Sequence, residues 1–206
     1  MKVLLLNGSP HREGCTHTAL AEVAAALEGE GVETELFWLG QGDTAGCRGC
    51  GACAKLGRCV CDDAVNAAAE RMRNCDGLVV GSPVHFAAAS GQVTCALDRL
   101  FYSAKSALQL KPAAAVVSAR RGGTTAAIDQ LNKYFTISQM PVVSSRYWPM
   151  VHGNTPDEVR QDLEGMAVMR QLGRNMAWLL RCLEAGRAAG VPLPVQEPPV
   201  KTNFIR

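Results

Sequence analysis

The sequence predicts an α/β protein whose parallel sheet carries helices on both faces. Three observations predict it. Short apolar runs alternate with helical periods five times along the 206 residues, which requires crossover connections and therefore a parallel sheet. Two of the runs, GLVVGS and PAAAVVSA, are continuously apolar, as strands buried on both faces are. Hydrophobic residues make up 48% of the chain and aromatics 5%, so Ala-rich helices can lie close to the sheet. The length suits one sizeable core and not two. Residues 1–190 are expected to form the domain, and 191–206 a Pro-rich C-terminal arm.

The elements follow in order. Val3–Asn7 is an apolar run stopped by Gly8-Ser9-Pro10, a strand and then a turn. His17 to Glu30 has helical periodicity through Leu20, Val23, Ala24 and Leu27. Glu33–Trp38 alternates as a second strand, and a cysteine-rich loop follows it. Asp62 or Asp63 caps the next helix, which carries Val65, Ala68, Ala69 and Met72. Gly77–Ser82 is a buried strand broken by Pro83, and Gln92–Tyr102 a helix with Val93, Leu97 and Leu100 on one face. Pro112–Ala119 is the fourth strand, Thr124–Tyr134 a helix, and Pro141–Tyr147 the fifth strand. Pro156–Arg187 reads as one long helix capped by Thr155.

Composition narrows the function. A net charge of +2 gives no clustered basic face for nucleic acid. No apolar run reaches the ~20 residues of a membrane span. Nine cysteines without a signal peptide point to the cytoplasm, where thiols stay reduced. The odd count excludes a complete disulfide framework. Cys15, Cys75, Cys95 and Cys182 fall in or beside helical patterns, and most of them read best as small buried hydrophobes.

In a doubly wound sheet, ligands bind beyond the carboxyl ends of the strands, so three loops matter. The first, GSPHREGCTHTA, joins a strand to a helix. Backbone N–H groups at the helix start and the hydroxyls of Ser9, Thr16 and Thr18 can cradle a phosphate. It lacks the Lys of a Walker A loop, so a bound cofactor suits it better than phosphoryl transfer. The second, GSPVHFAAASG, offers the flat faces of His85 and Phe86 after Pro83. In the third, SARRGGTT, Gly122-Gly123 permits a close approach to a flat ligand, and Arg120 and Arg121 could meet an anion. The G-x-G-x-x-A match at Gly49–Ala54 overlaps the cysteines and opens no helix, so it is no dinucleotide fingerprint.

The cysteines stand as Cys47-x2-Cys50-x2-Cys53-x5-Cys59. Four thiols at that pitch can converge, as the irons of a [4Fe–4S] cluster require. Zinc on four thiolates, a dithiol pair and a purely structural loop are the other readings. Cys61 is a fifth thiol and a substitute ligand.

GSPHREGCT resembles the GSPR-x-x-GNT signature of the flavodoxin-like NAD(P)H-dependent FMN reductase superfamily. SPVHF resembles its TPVYF, and RRGGTT stands at its Gly-rich third loop. The cysteine run places the resemblance in the branch that includes iron–sulfur flavoproteins. The resemblance implies a five-stranded sheet in the order 2-1-3-4-5. It implies that Ser9, Thr16, His17 and Thr18 hold an FMN phosphate. Pro83, Val84, His85 and Phe86 would line the isoalloxazine with Ser118, Arg120, Gly122 and Gly123. His11 occupies an Arg position with Arg12 beside it, Cys15 replaces Asn, and His85 replaces Tyr.

The resulting expectation is an FMN-dependent oxidoreductase that passes reducing equivalents from NAD(P)H through FMN to free flavin, a quinone or a similar acceptor. FMN is favoured over FAD because no spare domain exists for an adenosine half. The rival is an electron-transfer protein with a [4Fe–4S] cluster on Cys47, Cys50, Cys53 and Cys59; a thiol-based redox sensor is a weaker one. The expected partners are a small-molecule or protein electron acceptor and further copies of the chain, as a homodimer or homotetramer. The segment Trp148–Met150 would lie near a subunit boundary.

Overall fold

In β1 (Lys2–Asn7), Val3, Leu4, Leu5 and Leu6 are all completely buried. Each is worth roughly 1.5–3 kcal/mol of burial, which fixes this strand at the centre of the molecule. The structure is a computed structural model that describes residues 1–198, 200 and 202. After β1 the chain forms α1 (Cys15–Gly29), β2 (Glu33–Trp38), α2 (Cys53–Leu56) and α3 (Ala64–Arg73). It continues through β3 (Gly77–His85), β4 (Ala88–Ala89), α4 (Gly91–Ser103), α5 (Lys105–Leu108), β5 (Ala113–Ala119) and α6 (Thr124–Ile137). It ends with β6 (Met150–His152), α7 (Pro156–Gln161) and α8 (Leu163–Ala188).

The main sheet is parallel in the order β2-β1-β3-β5-β6, and β4 pairs antiparallel with β3. With β4 set aside, this is the expected doubly wound order. One face is covered by α3, α4 and α6, whose Met72, Leu97, Leu131 and Phe135 share a core with Leu4, Leu6, Leu78 and Val80. The other is covered by α1 and α8, where Leu20, Val23, Met169, Leu172 and Met176 pack on Val3, Leu5, Val79 and Val116. A Cβ at Gly173 of α8 would stand 2.7 Å from the Ala26 Cβ and 2.8 Å from the Val23 carbonyl. Glycine is what lets the two helices meet so closely.

Four expectations need correction. Pro141–Tyr147 does not form the fifth strand. It makes one bridge, Val142 to Ala113, and is then drawn to α8. The Asn175 amide donates to the Ser144 carbonyl, and the Ser145 hydroxyl donates to the Val168 carbonyl. The strand forms later, as β6 beside Val117–Ala119. Second, β3 runs through Pro83 to His85, in register with Ser118 at Pro83. The last β1–β3 pair is Asn7 with Gly81, so beyond it β3 is an edge on that side, where proline costs no ladder bond. Third, the long helix is two. Asp162 (φ −72°, ψ 76°) ends α7, and its carboxylate caps α8 by accepting from the Gly165 N–H. Fourth, among the described residues the sheet has six strands and not five, β4 being the addition.

Thr155 and Asp63 cap α7 and α3 as expected. The 191–206 arm is irregular chain where it is described; residues 199, 201 and 203–206 of it lie outside the described residues. Among the described residues no helix is long and apolar enough to cross a membrane.

Candidate active site and cysteine pocket

The three loops converge at the carboxyl end of the sheet. Asn7, the wholly buried last residue of β1, shapes the first of them. Its Oδ1 accepts from the Ser9 N–H at 3.1 Å, and its Nδ2 donates to the Arg12 carbonyl at 3.0 Å. The Ser9 Oγ accepts from the His11 N–H at 3.1 Å. The Trp38 indole N–H donates to the Ser9 carbonyl at 2.8 Å, and the Arg12 guanidinium lies 5.7 Å from the Trp38 ring centre. The loop is thus tied into a fixed curve before α1 begins.

Gly14 precedes α1 and supplies no side-chain cap, and the first turn holds no acidic residue. A helix of 15 residues with an uncapped start presents backbone N–H groups and a partial positive charge, the requirements of a phosphate site. Buried Thr16 shares a 2.8 Å hydrogen bond between its Oγ1 and the Ser118 Oγ. That bond joins the first loop to the third. The Thr18 hydroxyl donates back to the Gly14 carbonyl at 3.2 Å, and His17 is half-buried on the first turn. The Cys15 thiol points to the Gly153 carbonyl at 3.7 Å, and burial pushes its pKa up.

The second loop is a hairpin. His85 pairs with Ala88, leaving Phe86 and Ala87 as a two-residue turn with φ of 52° and 59°. Two positive φ values define the turn that Asn-Gly normally makes. In residues with a Cβ, each costs roughly 1 kcal/mol. Such stored strain collects at functional sites. Phe86 is fully solvent-exposed, and His85 is exposed beside it. Replacing Ala87 with Gly is expected to raise stability by about 0.5–1 kcal/mol, read by chemical denaturation; an unchanged midpoint would remove the strain argument.

Gly123 fixes the third loop against the second. Its φ is +91°, and a Cβ there would stand 2.7 Å from the Ala87 Cα. Pro83, Val84 and Gly123 are half-buried, whereas Arg120 and Gly122 are exposed. Ser90 ties the loops together from below: its Oγ donates to the Gly8 carbonyl, and it caps α4 by accepting from the Val93 N–H.

The cysteine loop lies along α4. The Gln92 amide donates to the Gly40 carbonyl at 2.8 Å. Cys47, Cys50, Cys53, Cys59 and Cys61 line one pocket of about 180 Å³, closed beneath by Arg99, Tyr102 and Ser103 of α4. All nine cysteines are free thiols. Among the described residues, no three His, Cys, Asp or Glu side chains converge closely enough for one metal ion.

Sequence reasoning missed Arg99. Its side chain is 1% exposed. Its Nε donates to the Cys59 Sγ at 3.2 Å, and its two Nη groups reach both Asp63 oxygens at 2.6 and 2.8 Å. They also donate to the Ala45 and Cys61 carbonyls. Burial alone would raise the Cys59 thiol pKa, but the Arg99 hydrogen bond and the Cys61 N–H outweigh it and hold it low. The Asp63 carboxyl is lowered in the same way, burial opposing and Arg99 prevailing. The Ser103 hydroxyl is buried at the same pocket with no hydrogen-bond partner among the described residues. Thiols on one cavity, a buried cation and an orphaned donor fit an anionic iron–sulfur cluster.

Comparison with known proteins agrees with this geometry. The family described as NADPH-dependent FMN reductase matches residues 1–155. An iron–sulfur flavoprotein of Methanocaldococcus jannaschii is 32% identical over 193 residues, 89% of this chain and 100% of that one. An iron–sulfur flavoprotein of Methanosarcina thermophila is 29% identical over 192 residues, 91% of this chain and 99% of its own. Among solved structures, RosB with a bound 8-demethyl-8-formylriboflavin-5'-phosphate superposes with a TM-score of 0.70 at 17% identity, covering 100% of this chain and 94% of that one. An NAD(P)H:quinone oxidoreductase from Methanothermobacter marburgensis superposes at 0.64 with 17% identity, covering 85% and 96%. These two likenesses carry the fold.

Proposed function

The chain belongs to the NADPH-dependent FMN reductase family, in its iron–sulfur flavoprotein branch, and from that premise we propose that it passes reducing equivalents from NAD(P)H through FMN to an acceptor. The observation that carries the reading is the uncapped, acid-free start of α1 bonded through Thr16 to Ser118 of the third loop. The family makes the protein a flavin oxidoreductase. NAD(P)H as reductant and a quinone, free flavin or protein as acceptor are our reading. The bound flavin would supply hydride and electron transfer; the protein supplies position and charge.

The chain's residues divide that work. The α1 N-terminus and the Ser9 hydroxyl hold the phosphate, with His11, Arg12 and His17 as nearby cations or donors. The Pro83–Phe86 hairpin and the Ser118–Gly123 loop bracket the ring. The Gly122–Gly123 backbone offers N–H groups, and Arg120 positive charge, to an anionic reduced ring. No side-chain acid, base or nucleophile is required.

A second reading is favoured by the cysteine pocket: electrons leave the flavin one at a time through a [4Fe–4S] cluster on Cys47, Cys50, Cys53 and Cys59. Arg99 stands nine residues along α4 from Ser90, roughly 14 Å at ~1.5 Å per residue. One experiment tests both readings. The purified protein is reconstituted anaerobically with iron, sulfide and FMN, then examined by visible spectrum, iron analysis and EPR after dithionite. Two flavin bands, NAD(P)H oxidation and about four irons per chain are expected, with the iron lost in Cys50→Ala. A protein that binds no FMN defeats the first reading. Iron-free protein with NAD(P)H oxidation intact defeats the second and leaves a plain reductase.

We also propose that the chain works as a homodimer or homotetramer. Tyr147 and Trp148, their rings 4.9 Å apart, expose large apolar side chains next to each other, the kind of surface through which chains associate. Light scattering at micromolar concentration should give twice or four times the chain mass; a monomer would refute this.

A further inference from the structure

Beneath the cysteine pocket, α4 aims two donors at the place where thiolate charge would collect. Arg99 and Ser103 are four residues apart, hence on one helix face, and both line the pocket with Cys47, Cys50, Cys53 and Cys59. Arg99 is buried and bonded to the Cys59 sulfur at 3.2 Å. A buried arginine needs an anion. Asp63 supplies one on the side away from the sulfur, and its own side chain is 32% exposed. The Ser103 hydroxyl is buried and unpartnered among the described residues. An orphaned buried hydroxyl costs roughly 1–3 kcal/mol, so its retention calls for a partner the protein atoms do not provide.

We propose that Arg99 and Ser103 are positioning residues that set the reduction potential of a cluster in this pocket, with Asp63 as the counterweight that limits the effect of Arg99. The inference rests on the cluster reading above. One-electron reduction adds one negative charge to a centre already held by four thiolates. A fixed cation and a hydroxyl donor at the sulfurs favour the reduced form, and hydrogen bonds to sulfur and local charge are the levers by which proteins tune such centres. Arg99 has a second duty. Its bonds to the Ala45 and Cys61 carbonyls hold both ends of the loop that carries the ligands, so the same guanidinium gathers the thiols and biases their charge.

The test uses full-length protein reconstituted with iron and sulfide, with iron per chain, EPR and the cluster midpoint potential as readouts. Ser103→Ala is a mild change that should keep four irons and shift the midpoint negative. Arg99→Lys keeps the charge but loses the fork, and should shift it negative as well, with lower iron loading. Asp63→Asn should shift it positive, because Asn still caps α3 while Arg99 is left uncompensated. A shift of about 30 mV, threefold in the reduction equilibrium at 59 mV per tenfold for one electron, is expected for Asp63→Asn, the one change that alters charge. Opposite signs in Asp63→Asn and Ser103→Ala are what a merely structural role would not produce. Four irons per chain at the wild-type potential in all three variants would overturn the proposal while leaving the cluster in place. No iron in the wild-type protein would overturn the cluster and this proposal together, and FMN binding would remain measurable by itself.

Discussion

His17→Glu is expected to reduce FMN affinity by on the order of 100-fold without lowering the melting temperature. His17 is half-buried on the first turn of an α1 that has no capping side chain and no acid there. A carboxylate at that position stabilises the helix itself, by about 0.3–1 kcal/mol through the macrodipole. It would also stand against the phosphate proposed at this helix start. Two unit charges at 4 Å repel by about 4 kcal/mol at an effective dielectric of 20, and about 2.8 kcal/mol is a hundredfold in affinity. Stability and binding therefore move in opposite directions, so misfolding cannot mimic the result. Fluorescence titration of FMN measures it; wild-type affinity in the variant would remove the phosphate from α1.

The largest effect on folding is expected at Gly173. Replacing it with Val should cost at least about 3 kcal/mol, a fall of roughly 6–12 °C at 2–4 °C per kcal/mol for a chain of this size. Helix propensity alone argues the other way even for Ala, which gains about 1 kcal/mol over Gly in a helix. Packing prevails because the new Cβ would meet the Ala26 Cβ, the Val23 carbonyl and the Leu27 amide at 2.7, 2.8 and 3.3 Å. Two of these are backbone atoms of α1, which cannot rotate aside. Overpacking costs about 1–3 kcal/mol for small insertions, and a branched side chain adds more. A melting curve within 2 °C of wild type would show that α1 and α8 part easily.

What the sequence made legible was whatever local pattern controls. The continuous apolar runs of β1, β3 and β5, the caps at Asp63 and Thr155, and the loops after β1, β3 and β5 all follow from neighbours in the chain. The errors lie where distant groups decide. Pro141–Tyr147 has the composition of a strand, but the Ser144 carbonyl and the Ser145 hydroxyl are captured by α8, some 20 to 30 residues further on. Pro83 looked like a strand end because only the arrest of β1 at Asn7 makes a proline harmless there. Arg99 sits in LDRLF and reads as a solvent-facing helix residue. Its partners Cys59 and Asp63 lie 40 and 36 positions away, and no spacing rule connects them. Asn7 ends a strand in the sequence, and its loop-shaping amide depends on Arg12 and Ser9 folding back over it.

The cysteine loop has a kinetic consequence. It is fastened to the rest of the molecule by the side chains of Asn66, Arg73, Gln92 and Arg99, and most of its residues from Gln41 to Cys61 are exposed. Little apolar surface is lost if it lifts away, so its opening free energy lies far below that of the sheet, whose central strands are wholly buried. Were a cluster held there, iron and sulfide would enter, or be lost to oxygen, by local opening of this loop on an intact frame. Amide exchange should divide accordingly, with residues 41–61 exchanging early at a rate indifferent to mutations that weaken the core.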